Sequence, residues 1–292
     1  MSEISFVCPS CRSRLEPTVE YVCSGCGRRY PIVDGVAVLV AGMTEESGLQ
    51  AAFFDSETDS EFEIERPTGA PPFYGWLLGQ KFRRAVRAVP LDGESVLVVC
   101  GGSGMDAEFL ANAGAKVVSS DISIGAARRA RDRARRHGLS FESIVADVER
   151  LPFGDSAFDV VYVHDGLHHI ERPLVGLTEM ARVARQAVCV TEPADAFATA
   201  IAVRIGLALE REEAGNRVAR LHLDELRTVL ETEGFSVRRA DRYAMFYRHE
   251  PGPAMRVCSR SVVLPLARYS FRAVNALLGR WGNKLVVQAV RA

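Results

Sequence analysis

The sequence predicts an α/β fold, in which a largely parallel sheet is flanked by helices and a small cysteine-rich module precedes it. Three observations predict this arrangement. A charge-free run, Val96 to Val99, is typical of a strand that is buried on both faces of a parallel sheet. A glycine-rich turn, a helix and a second strand that ends on Asp121 follow it, which is the order of a nucleotide-binding βαβ unit. Two C-x-x-C pairs stand near the N-terminus.

Length and charge narrow the classes of function. At 292 residues the chain can form one large domain and a small one. Lys and Arg number 36 against 37 Asp and Glu, so the net charge of −1 gives no overall attraction to nucleic acid or to anionic membranes. No run approaches about 18 apolar residues, and the N-terminus lacks the pattern of a signal peptide. We therefore expect a cytoplasmic protein without a transmembrane segment.

The first module, residues 1–41, contains Cys8, Cys11, Cys23 and Cys26 in two C-x-x-C pairs separated by eleven residues. Four thiolates at this spacing suit tetrahedral Zn²⁺, and they leave no open coordination position, so we expect a structural zinc ribbon. The alternative is a pair of redox dithiols or disulfides, which a cytoplasmic location disfavours.

Residues 42–72 are acidic and rich in glycine and proline towards their end, which predicts a linker or lid and not a second core. Phe73, Tyr74 and Trp76 then lead into a helix over roughly 75–88, where the main domain, residues 73–292, begins.

The glycine-rich turn consists of Cys100, Gly101, Gly102, Ser103 and Gly104. Glycine has no Cβ, so the backbone can turn sharply and approach a ligand closely. Asp106 follows at the start of the helix, and Asp121 at the end of the second strand is placed to accept hydrogen bonds from ribose hydroxyls. The third glycine of a G-x-G-x-x-G phosphate-binding turn is absent, and the negative charge of an acid at position 106 would repel a pyrophosphate. Both features disfavour a nicotinamide or flavin dinucleotide and favour S-adenosylmethionine, which has no phosphate.

A second signature lies between the third and fourth strands. The run from Asp147 through Leu151-Pro152-Phe153 to Val161 matches the pattern D-x-x-x-L-P-F-x-D-x-x-F-D-x-V. With it, residues 94–193 resemble the class I S-adenosylmethionine-dependent methyltransferases, of the type 11-like domain. The segment after the second cysteine pair, GRRYPIVDGVAVLV, likewise resembles zinc ribbons attached to methyltransferases.

The resemblance implies a Rossmann-like sheet of seven strands, in which the last strand is antiparallel and lies beside the fifth. It also implies S-adenosylmethionine as the cofactor. Asp147 would accept from the adenine amino group, Val148 would donate its backbone N–H to the ring, and Ile122 would pack on the adenine face. The other implied contacts are Tyr74, Cys100, Gly101, Gly102, Gly104, Asp106, Asp121 and His164. For Tyr74 the alternative is an aromatic side chain that only packs helix on sheet.

Two residues depart from the family pattern. Val98 stands where the family has an acid, and Cys100 stands where it has the first glycine of the turn. The acid helps to hold the amino group of the ligand, and Asp106 is the candidate to replace it. For Cys100 we expect a small side chain packed at the strand end and not a reactive thiol.

The fourth strand leads into His164, Asp165 and, after Gly166-Leu167, His168 and His169, a loop that lies beside the sulfonium in the family. Methyl transfer is a displacement in which alignment dominates, and a hydroxyl acceptor would benefit from a base. His168, His164 and Asp165 are the candidate bases, and Glu192 after strand five is a candidate to bind an acceptor hydroxyl or amine. The alternatives are a histidine that packs under the loop and a carboxylate that caps it.

Two insertions, at about 194–222 and 250–280, are predicted to cap the acceptor site. The first contains an apolar helix over 196–209 followed by Asn216, Arg217 and Arg220. The second carries apolar residues with Arg268 and Arg272, for which an interfacial membrane helix is the alternative. A helix over 126–137 carries six arginines, which could contact RNA phosphate or form a solvated face.

The sequence thus predicts a methyltransferase that moves a methyl group from S-adenosylmethionine to oxygen or nitrogen of a small-molecule acceptor, such as a sugar, a glycolipid precursor or a secondary metabolite. One alternative is a ribosomal-RNA base methyltransferase, since some of these also carry a four-cysteine ribbon. The other is a degenerate methyltransferase-like protein that binds a partner. Peripheral membrane contact and a homodimer are left open.

Overall fold

The structure is a computed structural model, and it describes residues 5–56, 60–195, 221–247 and 249–292. The predicted apolar helix over 196–209, with Asn216, Arg217 and Arg220, lies outside the described residues.

Twelve strands lie in the described part of the chain, and nine of them form one sheet. They are β1 (Leu15–Pro17), β2 (Tyr21–Cys23), β3 (Arg29–Tyr30), β4 (Ile32–Val33), β5 (Val36–Leu39), β6 (Ser95–Val99), β7 (Lys116–Asp121), β8 (Phe141–Ala146), β9 (Phe158–His164), β10 (Ala184–Pro193), β11 (Phe235–Tyr243) and β12 (Lys284–Arg291). The order in the large sheet is β11-β12-β10-β9-β6-β7-β8-β5-β4, and β1 to β3 form a small separate sheet.

The predicted seven-stranded sheet is confirmed. Strands β6 to β10 are parallel to one another, and β12 lies antiparallel between β10 and β11. Because β11 is antiparallel to β12, it runs in the direction of β10. The end of β11 and the start of β12 therefore lie at the same edge of the sheet as the carboxyl ends of β6 to β10. Strands β7 and β8 are added on one side of β6, and β9 and β10 on the other. The strand order therefore reverses between β6 and β9, and sheets of this kind bind ligands at such a switch point.

Alternation along β6 divides the core into two layers. Val96 and Val98 pack with α-helical residues on one face of the sheet, whereas Leu97 and Val99 belong to the cluster on the other face. All four side chains are buried, as expected for a central parallel strand.

The cysteine-rich module joins the second of these layers. Strand β5 pairs in parallel with β8, so the N-terminal segment adds β5 and β4 to the edge of the methyltransferase-like sheet. Phe6 packs against Phe153 with ring centroids 5.7 Å apart, and Val7 donates its N–H to the carbonyl of Pro152. Arg12 reaches Glu179 at 2.8 Å. A module too small for its own core thus shares the core of the large domain.

Nine α-helices lie in the described ranges. They are α1 (Glu45–Asp55), α2 (Ser60–Glu65), α3 (Pro72–Ala85), α4 (Met105–Asn112), α5 (Ile124–Arg136), α6 (Pro173–Val183), α7 (Leu223–Thr232), α8 (Pro253–Cys258) and α9 (Leu264–Leu278). In these residues no helix has both the length and the apolar character needed to span a bilayer.

Helices α1 and α2 occupy the acidic segment for which the sequence predicted loops. Thr44 caps α1 by accepting from the Ser47 N–H, and Ser47 in turn bonds the Thr44 backbone. Glu45 and Glu46 in the first turn interact favourably with the helix dipole. The acidic residues that suggested a solvated linker therefore help to begin a helix.

The arginine-rich helix α5 lies against α1 and α2. Arg133 is completely buried and bonds Glu108 Oε2 at 2.6 Å, the carbonyls of Ser103 and Arg66, and the carbonyl of Glu63. Arg136 pairs with Glu61 and Glu65 on α2 at 2.7 and 2.8 Å. Several of the predicted RNA-contact candidates are thus occupied within the chain.

Candidate cofactor and acceptor site

A large cavity lies at the carboxyl edge of the sheet, around the ends of β6 to β10. Its volume is about 1340 Å³, which is larger than most small-molecule sites. It brings together eleven of the predicted site residues, which lie at the ends of four strands, β6 to β9, or in the segments that follow them: Cys100, Gly101, Gly102, Asp106, Asp121, Ile122, Asp147, Val148, His164, Asp165 and His168.

The glycine turn forms one wall of the cavity. A Cβ on Gly101 would lie 2.2 Å from Ser119 Oγ, so only glycine fits there. Gly102 has φ of +52° and nothing within 4 Å of where its Cβ would be, which leaves its backbone open towards a ligand. Cys100 adopts φ of +51°, a conformation that is uncommon for any residue with a Cβ. Burial raises the pKa of its thiol well above the ordinary value, so the side chain stays a neutral packing group.

Asp121 and Asp147 are held by backbone N–H groups in the same way. Asp121 accepts from Gly102 N–H at 2.8 Å and Ser123 N–H at 3.0 Å, and Asp147 accepts from Glu149 N–H at 2.9 Å. Burial raises the pKa of both carboxyls, and the hydrogen bonds from these donors offset this rise only in part. Two oriented carboxylates with remaining acceptor capacity fit the hydroxyl and amino groups of an adenosine.

Asp106 is buried in a hydrogen-bonded cluster at the start of α4. Its Oδ1 accepts from the Tyr162 hydroxyl at 2.9 Å and lies 2.9 Å from His164 Nδ1. Burial by itself would raise the pKa of Asp106, but His164, Tyr162 and Lys81 together hold it below its ordinary value. Val98, at the position of the family's acid, is buried in the apolar layer and does not line the cavity. Asp106 and not Val98 therefore presents a carboxylate to the cavity.

Asp165 lies between two lysines. Its Oδ2 accepts from Lys81 and, at 2.7 Å, from Lys284, and its φ is +49°. Burial opposes ionisation, but Lys284, Lys81 and His164 hold the pKa of Asp165 well below its usual range. Its other oxygen, Oδ1, is buried and has no hydrogen-bond partner among the described residues. A carboxylate with this pKa is a poor proton acceptor, yet Oδ1 is available to a ligand donor.

His168 is oriented by Glu192. Its Nδ1 lies 2.7 Å from Glu192 Oε2, and Glu192 Oε1 accepts the N–H groups of Gly166 and Leu167 at 2.8 Å each. Glu192 is completely buried, and His168 is 4% exposed. The carboxylate therefore fixes both the loop and the tautomer in which Nδ1 carries the proton, which makes Nε2 the basic nitrogen.

Three predicted residues lie behind the cavity wall. Tyr74 is buried, and its hydroxyl donates to the carbonyl of His249 at 2.8 Å. Gly104, with φ of +82°, allows α4 to approach α5, since its Cβ would lie 3.0 Å from Ala130. Glu192 contacts the cavity through His168 and not directly.

The sequence did not single out several residues that line the cavity. Lys284 opens β12, while Met245, Phe246 and Tyr247 follow β11. These residues could have been predicted from the topology, because it places the end of strand six and the start of strand seven at the edge of the sheet where the ligand binds. Other residues come from the predicted lid, residues 42–72: Met43, Thr44, Gln50, Phe54, Glu63 and Arg66.

The four N-terminal cysteines form a cluster away from the cavity. All four sulfur atoms lie within 4.8 Å of one another, with Cys8 to Cys26 at 3.8 Å and Cys11 to Cys23 at 3.4 Å. A tetrahedral zinc with Zn–S bonds of about 2.3 Å needs sulfurs about 3.8 Å apart. The Tyr30 hydroxyl lies 3.1 Å from Cys8 Sγ, and Cys26 N–H is directed at Cys23 Sγ. The donor set therefore fits a four-cysteine zinc site.

Comparison with known sequences places a methyltransferase domain at residues 97–189. Over 93 residues the chain is 41% identical to a demethylmenaquinone methyltransferase of Beutenbergia cavernae, which covers 32% of this chain and 37% of that protein. A protein of the same name from Renibacterium salmoninarum is 40% identical over 101 residues, or 35% of this chain and 40% of its own. The chain thus spans about two-fifths of the length of the curated relatives it matches.

Comparison with solved structures extends the likeness over most of the chain. The magnesium protoporphyrin IX methyltransferase of Synechocystis PCC 6803, solved with bound SAH, superposes with a TM-score of 0.57 and 20% identity, covering 84% of this chain and 99% of that one. At this identity the likeness concerns the fold. The strand order of the sheet, the domain matched at residues 97–189 and the motifs in the sequence all indicate the same class of domain. The chain carries a class I S-adenosylmethionine-dependent methyltransferase domain, joined to an N-terminal four-cysteine cluster.

Proposed function

We propose that the protein transfers the methyl group of S-adenosylmethionine to an oxygen or nitrogen of a small-molecule acceptor. The observation that carries this proposal is the cavity at the carboxyl edge, where the glycine turn, two oriented carboxylates and a histidine paired to a buried glutamate meet. Bound S-adenosylmethionine supplies an electrophilic methyl group on its sulfonium.

Residues at the ends of β6, β7 and β8 would hold the cofactor. Asp121 would accept from the ribose hydroxyls and Asp147 from the adenine amino group, while Ile122 and Val148 would pack on and bond the ring. Asp106 and the unpartnered Oδ1 of Asp165 are two acceptors for the amino group of the ligand, which compensates for the valine at position 98. Lys284 adds a positive charge beside them for a carboxylate.

His168 is the proposed base for an acceptor hydroxyl or amine. Glu192 holds Nδ1 and stabilises the imidazolium that forms when Nε2 takes the proton. Glu192 is therefore a positioning residue. Asp165 is less suited to the role of base because its two lysines stabilise the carboxylate.

The remaining cavity wall supports an acceptor with a sizeable apolar part. Met245, Phe246, Tyr247, Pro253 and Met255 line it, and the volume exceeds what the donor alone needs. The name of the curated relatives, demethylmenaquinone methyltransferase, designates a small-molecule acceptor and supports this class over RNA.

Calorimetry with S-adenosylmethionine tests the donor site. The unmodified protein should bind, and Asp121→Ala should weaken binding by roughly 10- to 100-fold, the loss expected for hydrogen bonds to a charged group. Asp155→Ala, at an exposed acid outside the cavity, is the matched control and should bind normally. Absence of binding by the unmodified protein would favour the degenerate, partner-binding alternative.

Transfer of a tritiated methyl group into fractionated cell extract tests the acceptor class. Label should enter the small-molecule fraction, and His168→Ala should reduce transfer by roughly 100-fold or more without changing donor affinity. Label that enters only a nuclease-sensitive fraction would favour RNA instead.

We further propose that Cys8, Cys11, Cys23 and Cys26 bind one structural zinc ion. Support comes from the sulfur spacing and from the Tyr30 hydroxyl beside Cys8. Metal analysis of protein prepared without chelators should find one zinc per chain, and a metal-free preparation with intact fold would refute the proposal.

A further inference from the structure

Helices α8 and α9 and the turn that follows them expose an unusual amount of apolar surface, which we name the C-terminal apolar surface. Leu266, Tyr269 and Leu277 are 64%, 70% and 75% exposed, and Val262 just before α9 is 85% exposed. Trp281 is 56% exposed. Leu266, Tyr269 and Leu277 stand at positions i, i+3 and i+11 of α9, so they lie on one face of the helix and form an outward stripe. Contiguous exposed apolar residues of this kind mark interaction surfaces.

The other face of α9 is held against the domain. Phe271 packs on Trp76 with ring centroids 5.2 Å apart, and Asn275 bonds both backbone groups of Ala244 at 3.0 Å. The guanidinium groups of Arg268 and Arg272 lie 5.6 and 5.7 Å from the Trp76 ring centre. The stripe is therefore presented outward by a helix whose orientation is already fixed.

The segment that carries the stripe has charges of one sign. Residues 251–292 contain no Asp or Glu, although the whole chain is nearly neutral. Five arginines lie in α8, in α9 or in the turns that follow these helices: Arg256, Arg260, Arg268, Arg272 and Arg280. An apolar stripe whose own segment carries arginines and no acid is complementary to an anionic lipid surface. A second copy of the chain is disfavoured, because a twofold contact would place these arginines against one another.

The surface adjoins the cavity. Pro253, Ala254 and Met255 at the start of α8 line it, as does Phe246, which is 73% exposed. Helix α9 has 15 residues and is about 22 Å long, too short to cross a bilayer but long enough to lie in its interface.

We propose that the C-terminal apolar surface docks on an anionic lipid bilayer, with α9 lying in the interface and the cavity next to the membrane. The stripe enters the boundary between headgroups and acyl chains, and the exposed Arg256, Arg260 and Arg280 contact lipid phosphates. An acceptor with an apolar part can then reach the cavity from the membrane. The docking does not depend on methyl transfer, so it can be tested separately from the proposed function.

Co-sedimentation with vesicles tests the proposal. The full chain should bind vesicles that contain phosphatidylglycerol, bind pure phosphatidylcholine vesicles much more weakly, and be released by added salt. Leu266→Asp with Leu277→Asp should weaken binding by about tenfold or more. Arg260→Gln and Arg280→Gln should each weaken it by roughly fivefold.

Val19→Asp with Leu49→Asp is the matched control, because both residues are exposed apolar side chains outside this surface, at 93% and 59%. It adds the same charge and should leave vesicle binding unchanged. A second readout is the tryptophan fluorescence of the unmodified protein. Its emission should shift to shorter wavelength with phosphatidylglycerol vesicles, and Trp281→Phe should remove the shift.

Two results would overturn the proposal. One is absence of binding to phosphatidylglycerol vesicles, or equal loss of binding in the control. The other is a concentration-dependent dimer that Leu266→Asp with Leu277→Asp converts to monomer, which would assign the surface to a second copy of the chain.

Discussion

The two arginine-rich regions of this chain, α5 and the segment over α8 and α9, differ in what surrounds their charges. In α5, Arg133 is buried among Glu108 and three backbone carbonyls, and Arg136 pairs with Glu61 and Glu65. In α9, Arg268 and Arg272 lie over Trp76, and the segment contains no acid. The first set of arginines is neutralised by acids and carbonyls of the chain itself, whereas the second lies in a segment that carries no acid of its own.

The difference shows that a run of arginines does not by itself identify a partner. Glu61 and Glu65, which pair with Arg136, lie 75 and 71 positions earlier in the chain, and they reach it only because α2 folds across the helix. Arg129 bonds the carbonyl of Phe54, and Asp55 accepts from Ser123 at 2.6 Å. The arginines of α5 therefore fasten the segment that lines part of the cavity.

The largest expected effect is at Arg133. Arg133→Met should lower the free energy of unfolding by about 3–5 kcal/mol, because it leaves Glu108 as a buried charge without its partner. Arg268→Met is the matched control in the other region and should cost less than about 1 kcal/mol, since no acid among the described residues pairs with it. Urea unfolding measures both, and equal losses would contradict the comparison.

A second effect should appear at acid pH through Glu63, which α2 places beside Arg66. Burial opposes ionisation, but His249 and Arg66 lower the pKa of Glu63 to about 2. Since the folded pKa is depressed from 4.5, this contribution is complete above pH 4.5 and is lost as the pH falls towards 2. It amounts to roughly 3 kcal/mol at most.

Unfolding of Glu63→Gln across the same pH range provides the test. The stability of the variant should depend less steeply on pH between about 4.5 and 2 than that of the unmodified protein. Identical slopes would show that Glu63 does not fasten the lid segment in this way.

The smallest effect is expected at Arg136, whose pairs with Glu61 and Glu65 are exposed. Arg136→Gln should lower the free energy of unfolding only slightly, and the loss should shrink in high salt because exposed pairs are screened. Arg135→Gln, with one longer contact at 3.6 Å to Asp132, is the control. A salt-independent loss at Arg136 would indicate a packing role instead.

Most of the donor side of the cavity could be predicted from local sequence. Asp121 and Asp147 each end or follow a buried strand, and parallel strands bring their carboxyl ends to one edge. The role of Glu192 could not be predicted in the same way, because its bonds to His168 and to the Gly166 and Leu167 amides depend on the register of β9 and β10. The lysines beside Asp165 come from α3 and β12, which are 84 and 119 positions away.

By itself, the sequence determined the seven strands of the large domain, the glycine turn and the four-cysteine spacing. These features are local: hydrophobic periodicity, residues without a Cβ and short motifs act within a few positions of the chain. Only the tertiary structure decided which arginines are neutralised, which carboxylate lies between two lysines and which apolar stripe stays exposed. Charges and apolar surfaces interact with the groups that the fold places within a few ångströms of them. The distance between two such groups in space cannot be read from their separation in the sequence.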